Sequence, residues 1–329
     1  MKRTFLLQNP PAIVGYGTVV GPKEGQGPLS QWFDVILDDD TLGEKSFERA
    51  ENKMFEKAAQ LALTRARLQA TDIDVMFGGD LLNQIISASF SARTLGIPFL
   101  GLYGACSTMA ESLLVGSVFL SGGYGEKALC LTGSHFSTAE RQYRTPLELG
   151  SQRPPTSQWT ATAAGCSILA AVGDGPRVTK VTVGRVQDYG ITDANNMGAA
   201  MAPAAADTIA AHFQDTGLSP DYYDYVVTGD LGTLGRDILH DLLGQQGLSL
   251  GTHHRDCGCD LYSADQDVGC GGSGCGCAAS TFNGYYLKQM AEGKVQRILL
   301  VATGALLSTL TTQQGESVPC VAHAVAVER

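Results

Sequence analysis

Cys106 stands in the run Tyr103-Gly-Ala-Cys-Ser-Thr-Met-Ala-Glu111, between a glycine-bearing strand end and the start of a helical stretch. A thiol placed there meets the unpaired N–H groups and positive dipole end of the helix, which favour thiolate, and a strand-to-helix elbow exposes the side chain. That is the setting of a reactive cysteine. The same position also suits a small buried residue, because free cysteine is among the most buried types. Spacing alone leaves both readings open. Five of the nine cysteines cluster between Cys257 and Cys277, beside His253 and His254. Thiolate zinc sites usually show two Cys-x2-Cys pairs at a regular spacing, which Cys257-Gly-Cys259 and Cys275-Gly-Cys277 do not have. The glycines around Cys270 read as a tight loop, and no metal site is assigned. Gly15-Tyr-Gly17 and Gly271–Gly276 likewise lack the strand, spacing and downstream acid of a dinucleotide fingerprint.

The elements that must position these residues alternate between strand and helix. Val14–Val20 reads as a strand, Glu44–Leu68 as a long amphipathic helix, and Asp72–Asp80 as a buried strand ending in glycines. Pro98–Cys106 turns sharply into a helix over Ser107–Ser121, and a strand follows at Lys127–Thr132. Alternation of this kind with apolar strands predicts a parallel or mixed sheet covered on both faces. The stretch 134–158 has no period and concentrates Glu140, Arg141, Arg144, Glu148 and Arg153. A loop of that length in a compact domain is usually functional or disordered.

The second half repeats the first. Gly79-Asp80-Leu81 recurs as Gly229-Asp230-Leu231, Asp74 as Asp224, Cys106 as Cys277, and Thr132-Gly133 as Thr303-Gly304. Two similar halves about a pseudo-two-fold axis follow, with Cys106 and Cys277 opening related helices. Ala110, Ser112, Gly116 and Ser117 on one helix, and Ala278, Ala279, Ser280 and Gly284 on the other, predict close packing at the centre. The halves are expected at 1–175, with the loop 134–158, and at 176–329, with a cysteine-rich insertion at about 247–275.

Composition narrows the function. The 329 residues carry 23 Lys+Arg against 33 Asp+Glu, a net charge of -10. Nothing is left over to neutralise phosphates, so nucleic-acid binding is excluded. Charged residues make up 17% of the chain, below the ~25% of an average soluble domain, which predicts a large interior. The opening Met-Lys-Arg-Thr-Phe-Leu-Leu-Gln-Asn-Pro is too polar for a signal-peptide core. The apolar stretch Ile298–Leu310 falls short of the ~20 residues of a membrane span. A cytoplasmic-type protein with reduced thiols is expected.

Two fused halves with cysteine at the first elbow resemble the thiolase and ketoacyl-synthase superfamily. A closer resemblance, to the stage V sporulation family of dipicolinic-acid-binding spore proteins, is carried by Gln8–Gly17, Gly133–Arg144, Arg153-Pro-Pro-Thr-Ser-Gln-Trp-Thr160 and Gly269–Cys277. The fold so implied is α/β, a thiolase-like five-layer αβαβα arrangement of two pseudo-symmetric halves. Condensing enzymes of the superfamily pair the elbow cysteine with histidines, or a histidine and an asparagine, from the second half. Here the corresponding stretches read Gly229-Asp230-Leu231 and Gly269-Cys270-Gly271, without an imidazole. His212 and His240 fall in helical segments and His323 in the terminal strand, so His135 is the best candidate for a retained polar role.

The resemblance therefore implies binding without condensation. The ligand is dipicolinate, pyridine-2,6-dicarboxylate, alone or as its Ca2+ chelate, and the role is to support its uptake into or release from the spore. Such a flat diacid needs cationic or N–H donors at two ends and an apolar slot between. Arg141, Arg144 and Arg153, interleaved with Phe136, Tyr143 and Trp159, are the candidate contacts, since Arg presents a bidentate fork to a carboxylate. A solvated loop whose arginines pair with Glu140 and Glu148 is the alternative. The expected ligand-binding set is Cys106, His135, Arg141, Arg144, Arg153, Trp159, Asp230 and Cys270, with Cys106 as a vestigial catalytic residue. No cofactor is expected beyond Ca2+ carried with the ligand. Implied partners are membrane proteins of the spore dipicolinate transport system and a second copy of the chain, at a site peripheral to the inner spore membrane. An acyltransferase or condensing enzyme working through a Cys106 thioester is the rival expectation.

Overall fold

The computed structural model describes residues 2–143 and 153–329. Arg144 and Glu148 lie outside the described residues. Ten strands follow one another across a single sheet, and their order shows the repeat directly. The first half contributes β5 (Phe99–Gly101), β4 (Val75–Gly79), β6 (Lys127–Ser134), β8 (Ala163–Ala170) and β2 (Ala12–Val20). The second contributes β11 (His254–Asp256), β10 (Tyr225–Thr228), β13 (Arg297–Ala305), β14 (Cys320–Glu328) and β9 (Arg177–Thr182) in the matching order. The halves meet where Ala12 of β2 pairs with Arg177 of β9. Short strands β1 (Thr4–Leu6) and β3 (Val35–Ile36) pair with β9 and β2.

The repeat extends to single hydrogen bonds. Asp74 Oδ2 accepts the N–H groups of Glu126 and Lys127 at 2.7 and 2.9 Å, and Asp224 Oδ2 accepts those of Gln296 and Arg297 at 2.6 and 2.9 Å. Each aspartate pins the start of one parallel strand to its neighbour, so that Val75 sits opposite Ala128 and Tyr225 opposite Ile298.

Helices cover the sheet on both outer faces and fill the space between the halves. Helix α1 (Phe47–Ala66) packs on β2 and β8 beside α2 (Ile86–Leu95). Its N-cap Ser46 accepts the Arg49 N–H, and its buried stripe runs through Met54, Phe55, Ala58, Ala62 and Leu63. On the other side α5 (Met197–Thr216) covers β13 and β14, and α6 (Gly232–Gln245) packs against α5. Between the half-sheets lie α3 (Thr108–Ser121) and α8 (Cys275–Thr281), which touch each other and strands of both halves. The small faces make this possible. A Cβ added to Gly165 of β8 would stand 2.4 Å from the Ala279 carbonyl, so helix backbone lies directly on strand backbone. The result is the expected αβαβα layering.

One expectation needs correction. The segment after β6 is not loop throughout, because Phe136–Tyr143 forms a helix, α4. Its Ala, Glu, Arg and Gln residues are good helix formers, and only the proline- and glycine-marked stretch further on obscured the pattern. The insertion at about 247–275 is itself structured. It supplies β11, the short helix α7 (Cys257–Leu261) and β12 (Gly272–Ser273), which pairs with β7 (Trp159–Thr160).

Candidate functional site

The Cys106 elbow opens the central helix. Ala105 takes a left-handed conformation, φ 50°, where a non-glycine side chain is uncommon, and residues 105–107 form one tight turn before α3 begins. Ser107 Oγ donates to the Gly104 carbonyl at 2.7 Å and Thr108 Oγ1 to the Ala105 carbonyl at 2.7 Å, which hold that turn. Cys106 is consequently set at the wall of a cavity of about 250 Å³.

The cavity is assembled from distant segments. Leu81, Tyr103, Ala139 and Tyr143 come from the first half, and Met197, Met201, Ser273 and Leu307 from the second. Tyr103 and Tyr143 share a hydrogen bond at 2.8 Å, and the Tyr143 hydroxyl also donates to the Leu81 carbonyl. Glu140, Gln158, Thr160 and Asn195 add polar groups. Gln158 is anchored through Nε2, which donates to the carbonyls of Asp230 and Gly272 at 2.8 Å each.

The thiol is not activated. Burial pushes Cys106 well above the usual thiol range, and the neighbouring Asp230, which accepts its S–H, pushes it further. Asp230 is fully buried, accepting from Thr303 Oγ1 at 2.8 Å, Ser273 Oγ at 3.2 Å and the Gly274 N–H at 2.9 Å. Burial raises its carboxyl to about 7 despite these donors. The Gly274 N–H, the backbone donor that faces Cys106, is thus already held by a carboxylate. A negative group beside the sulfur opposes both thiolate and an oxyanion, the reverse of what acyl transfer requires.

None of the six histidines supplies a base. His135 is fully buried, and its Nδ1 accepts the Ser137 N–H at 3.1 Å, so its Nε2 carries the proton and donates to the Asp40 carbonyl at 2.7 Å. It faces Phe47 and the Asp40 loop and does not line the cavity. His212 bridges Thr182 and Tyr223, His240 pairs with His254 at 3.0 Å, His253 meets the Asp224 carbonyl, and His323 accepts the Gly184 N–H.

The other expected contacts are dispersed. Arg141 forms an ion pair with Glu48 on α1, its side chain 53% exposed, and is not among the lining residues. Arg153 lies over Trp159, 4.7 Å from its ring centre, and donates to the Gln158 carbonyl. Trp159 in turn stacks on Phe136 at 3.8 Å. This group braces the cavity wall from behind through Gln158 and Thr160. Cys270 donates to the Pro155 carbonyl at 3.2 Å and is not among the lining residues. Of the expected residues Cys106 lines the cavity, and Asp230 lies fully buried directly behind it, hydrogen-bonded to Cys106 and to the lining residue Ser273.

Sequence pattern does not flag Asn195, Met197, Met201, Ala305 or Leu307. Tyr103 and Tyr143 had a visible signal, one in the elbow run and the other in the aromatic-rich segment. All nine cysteines carry free thiols, and no group of three or more metal-ligating side chains occurs among the described residues. No helix among them is long and apolar enough to cross a membrane.

Solved structures share this architecture. A 3-oxoacyl-[acyl-carrier-protein] synthase III from Aquifex aeolicus superposes with a TM-score of 0.61 at 15% identity, covering 97% of this chain and 100% of that one. Cerulenin-bound OleA from Xanthomonas campestris gives 0.63 at 15% identity, covering 99% and 98%. At that identity the likeness is one of fold. The sequence relationship is closer elsewhere. Stage V sporulation protein AD of Bacillus subtilis (strain 168) is 45% identical over 328 residues, covering 100% of this chain and 97% of that protein. The family model for stage V sporulation protein AD matches residues 1–328, and the chain belongs to that family.

Proposed function

We propose that this sporulation-family protein binds dipicolinate non-covalently in the cavity at Cys106, alone or as its Ca2+ chelate, and so supports its movement into or out of the spore. The observation that carries the reading is the Cys106–Asp230 pair. It keeps a thiolase-type pocket while replacing the base beside the thiol with a buried acid. The cavity lies at the small end of ligand pockets, and its apolar lining, with hydroxyl and amide side chains and the single carboxyl Glu140 among it, suits a flat aromatic acid that arrives with its charge neutralised. Asp230 opposes a bare dianion. It is compatible with a ligand that arrives with Ca2+ or when Asp230 itself holds a proton.

The test pairs two readouts. Calorimetric titration with dipicolinate, with and without Ca2+, is expected to show micromolar binding. Intact-mass measurement after incubation with acyl-CoA is expected to show no adduct, and Cys106→Ala is expected to bind dipicolinate within about threefold of the parent. An adduct on Cys106 without dipicolinate binding would replace this reading with the acyltransferase one. Arg141→Ala is expected to change affinity less than twofold and stability by at most about 1 kcal/mol, since it removes only an exposed ion pair.

The same proposal extends to membrane-protein partners of the dipicolinate transport system, peripheral attachment at the inner spore membrane, and pairing with a second copy. Co-sedimentation with spore inner membranes and light scattering test these. Release into the soluble fraction of a spore lysate, or a monomeric mass, would contradict them respectively.

A further inference from the structure

Two more carboxyls are buried beside the cavity wall. Glu51 on α1 and Asp80, one residue past β4, are both fully buried, and Glu51 feels the Asp80 charge. Thr138 Oγ1 of α4 donates to Glu51 Oε2 at 2.9 Å. Asp80 holds both ends of the turn that follows it, its Oδ1 accepting the Leu82 N–H at 2.8 Å and its Oδ2 the Ala88 N–H at 2.7 Å. Between these straps Gln84 and Ile85 take left-handed conformations, φ 57° and 47°. A β-branched residue adopts that region only under constraint. At the head of the turn Leu81 lines the cavity, and its carbonyl accepts from Tyr143 Oη and from Gln142 Nε2.

Among the described residues no compensating charge faces the pair. Ser87 on α2, Thr138 on α4, the Cys275 thiol on α8 and the Tyr103 hydroxyl are the groups turned toward the two acids. Neither acid has an ion-pair partner among the described residues. Two neighbouring buried carboxyls cannot both ionise without strong repulsion. Burial raises Asp80 to about 6, and burial with the Asp80 charge raises Glu51 well above the carboxylate range. For acids raised in this way the stabilisation is complete at low pH and is lost as pH rises through the folded-state values.

We propose that Glu51 and Asp80 form a proton-operated latch on the cavity wall, in which a proton kept on Glu51 leaves Asp80 to hold the strained turn 81–88, and its loss sets a second charge against Asp80, so that the turn relaxes and Leu81 leaves the wall. The effect on ligand rests on the reading of this cavity as the dipicolinate site. The movement of the turn does not.

Amide exchange of the intact protein, followed by mass spectrometry at pH 6 and pH 9 and corrected for intrinsic rates, reads the latch without ligand. Peptides spanning 81–88 are expected to lose at least tenfold protection at the higher pH, while peptides from β13 and β14 stay constant. Glu51→Gln removes the charge that drives the change and is expected to keep protection equal at both values. Asp80→Asn is the second variant, expected to remove the pH dependence while exchanging faster at both values because a strap is weakened. Equal protection at both pH values in the parent protein, or an undiminished loss in both variants, overturns the latch. Because no ligand is present, failure of dipicolinate binding is read separately from failure of the latch.

Discussion

Between pH 6 and pH 8 the affinity for metal-free dipicolinate is expected to fall about tenfold, and Asp230→Asn is expected to abolish that fall. Asp230 titrates at about 7 because it is fully buried. Below that value it is neutral and tolerates a dianion beside Ser273 and Cys106. Above it, a bound dianion requires proton uptake, which costs about 1.4 kcal/mol for each pH unit beyond the folded value. The sign also reaches stability: an acid raised by burial stabilises the fold at low pH and ceases to do so as pH climbs through about 7. The asparagine can be accommodated. Its oxygen keeps the Gly274 N–H, and its NH2 turns to the Thr303 hydroxyl, which can accept. Calorimetry at three pH values reads the slope directly. The Ca2+ chelate, having no net charge, is expected to show a flatter profile, and a pH-independent affinity for metal-free ligand would show that Asp230 does not face it.

The second large effect is structural. Gly304→Ala is expected to destabilise the protein by about 3 kcal/mol or more and to abolish ligand binding with it. A Cβ at this position in β13 would lie 2.0 Å from the Gly104 carbonyl oxygen and 3.1 Å from the Ser107 nitrogen. Both are backbone atoms of the elbow that presents Cys106, so no side-chain rotation relieves the overlap. Gly244, near the end of α6, is the control, with nothing within 4 Å of an added Cβ. Gly244→Ala is expected to stabilise by about 0.5 to 1 kcal/mol, because alanine loses less backbone entropy in a helix. Urea midpoints at constant slope decide both. A Gly304→Ala midpoint within experimental error of the parent would mean that the elbow and β13 are not in close contact.

These expectations draw on features of unequal visibility in the chain. The repeat is legible because its markers are local: Asp74 and Asp224 each pin a strand start, and Thr132-Gly133 and Thr303-Gly304 each mark a strand end. The elbow is legible for the same reason, a glycine, a turn and a helix start within four residues. Its chemistry is less so. That Asp230 rather than a histidine meets Cys106 follows from the motif positions, whereas its raised titration follows from burial that no local pattern records. The arginine cluster illustrates the opposite error. Nearness in sequence suggests that Arg141 and Arg153 act together, but the turn of α4 sends Ala139, Glu140 and Tyr143 to the cavity and Arg141 to Glu48. Met197, Met201 and Leu307 carry no chemistry of their own and reach the cavity only because α5 and the end of β13 are folded over it.

The central claim is that dipicolinate occupies the cavity at Cys106, and a calorimetric comparison of the parent with Leu307→Trp tests it most directly. Leu307 borders the cavity and is 9% exposed, so an indole there projects into the open volume. The account predicts one saturable micromolar site in the parent and at least a hundredfold weaker binding in the variant, with unfolding free energies from urea titration within about 1 kcal/mol of each other. Equal dipicolinate affinity in both proteins would contradict it.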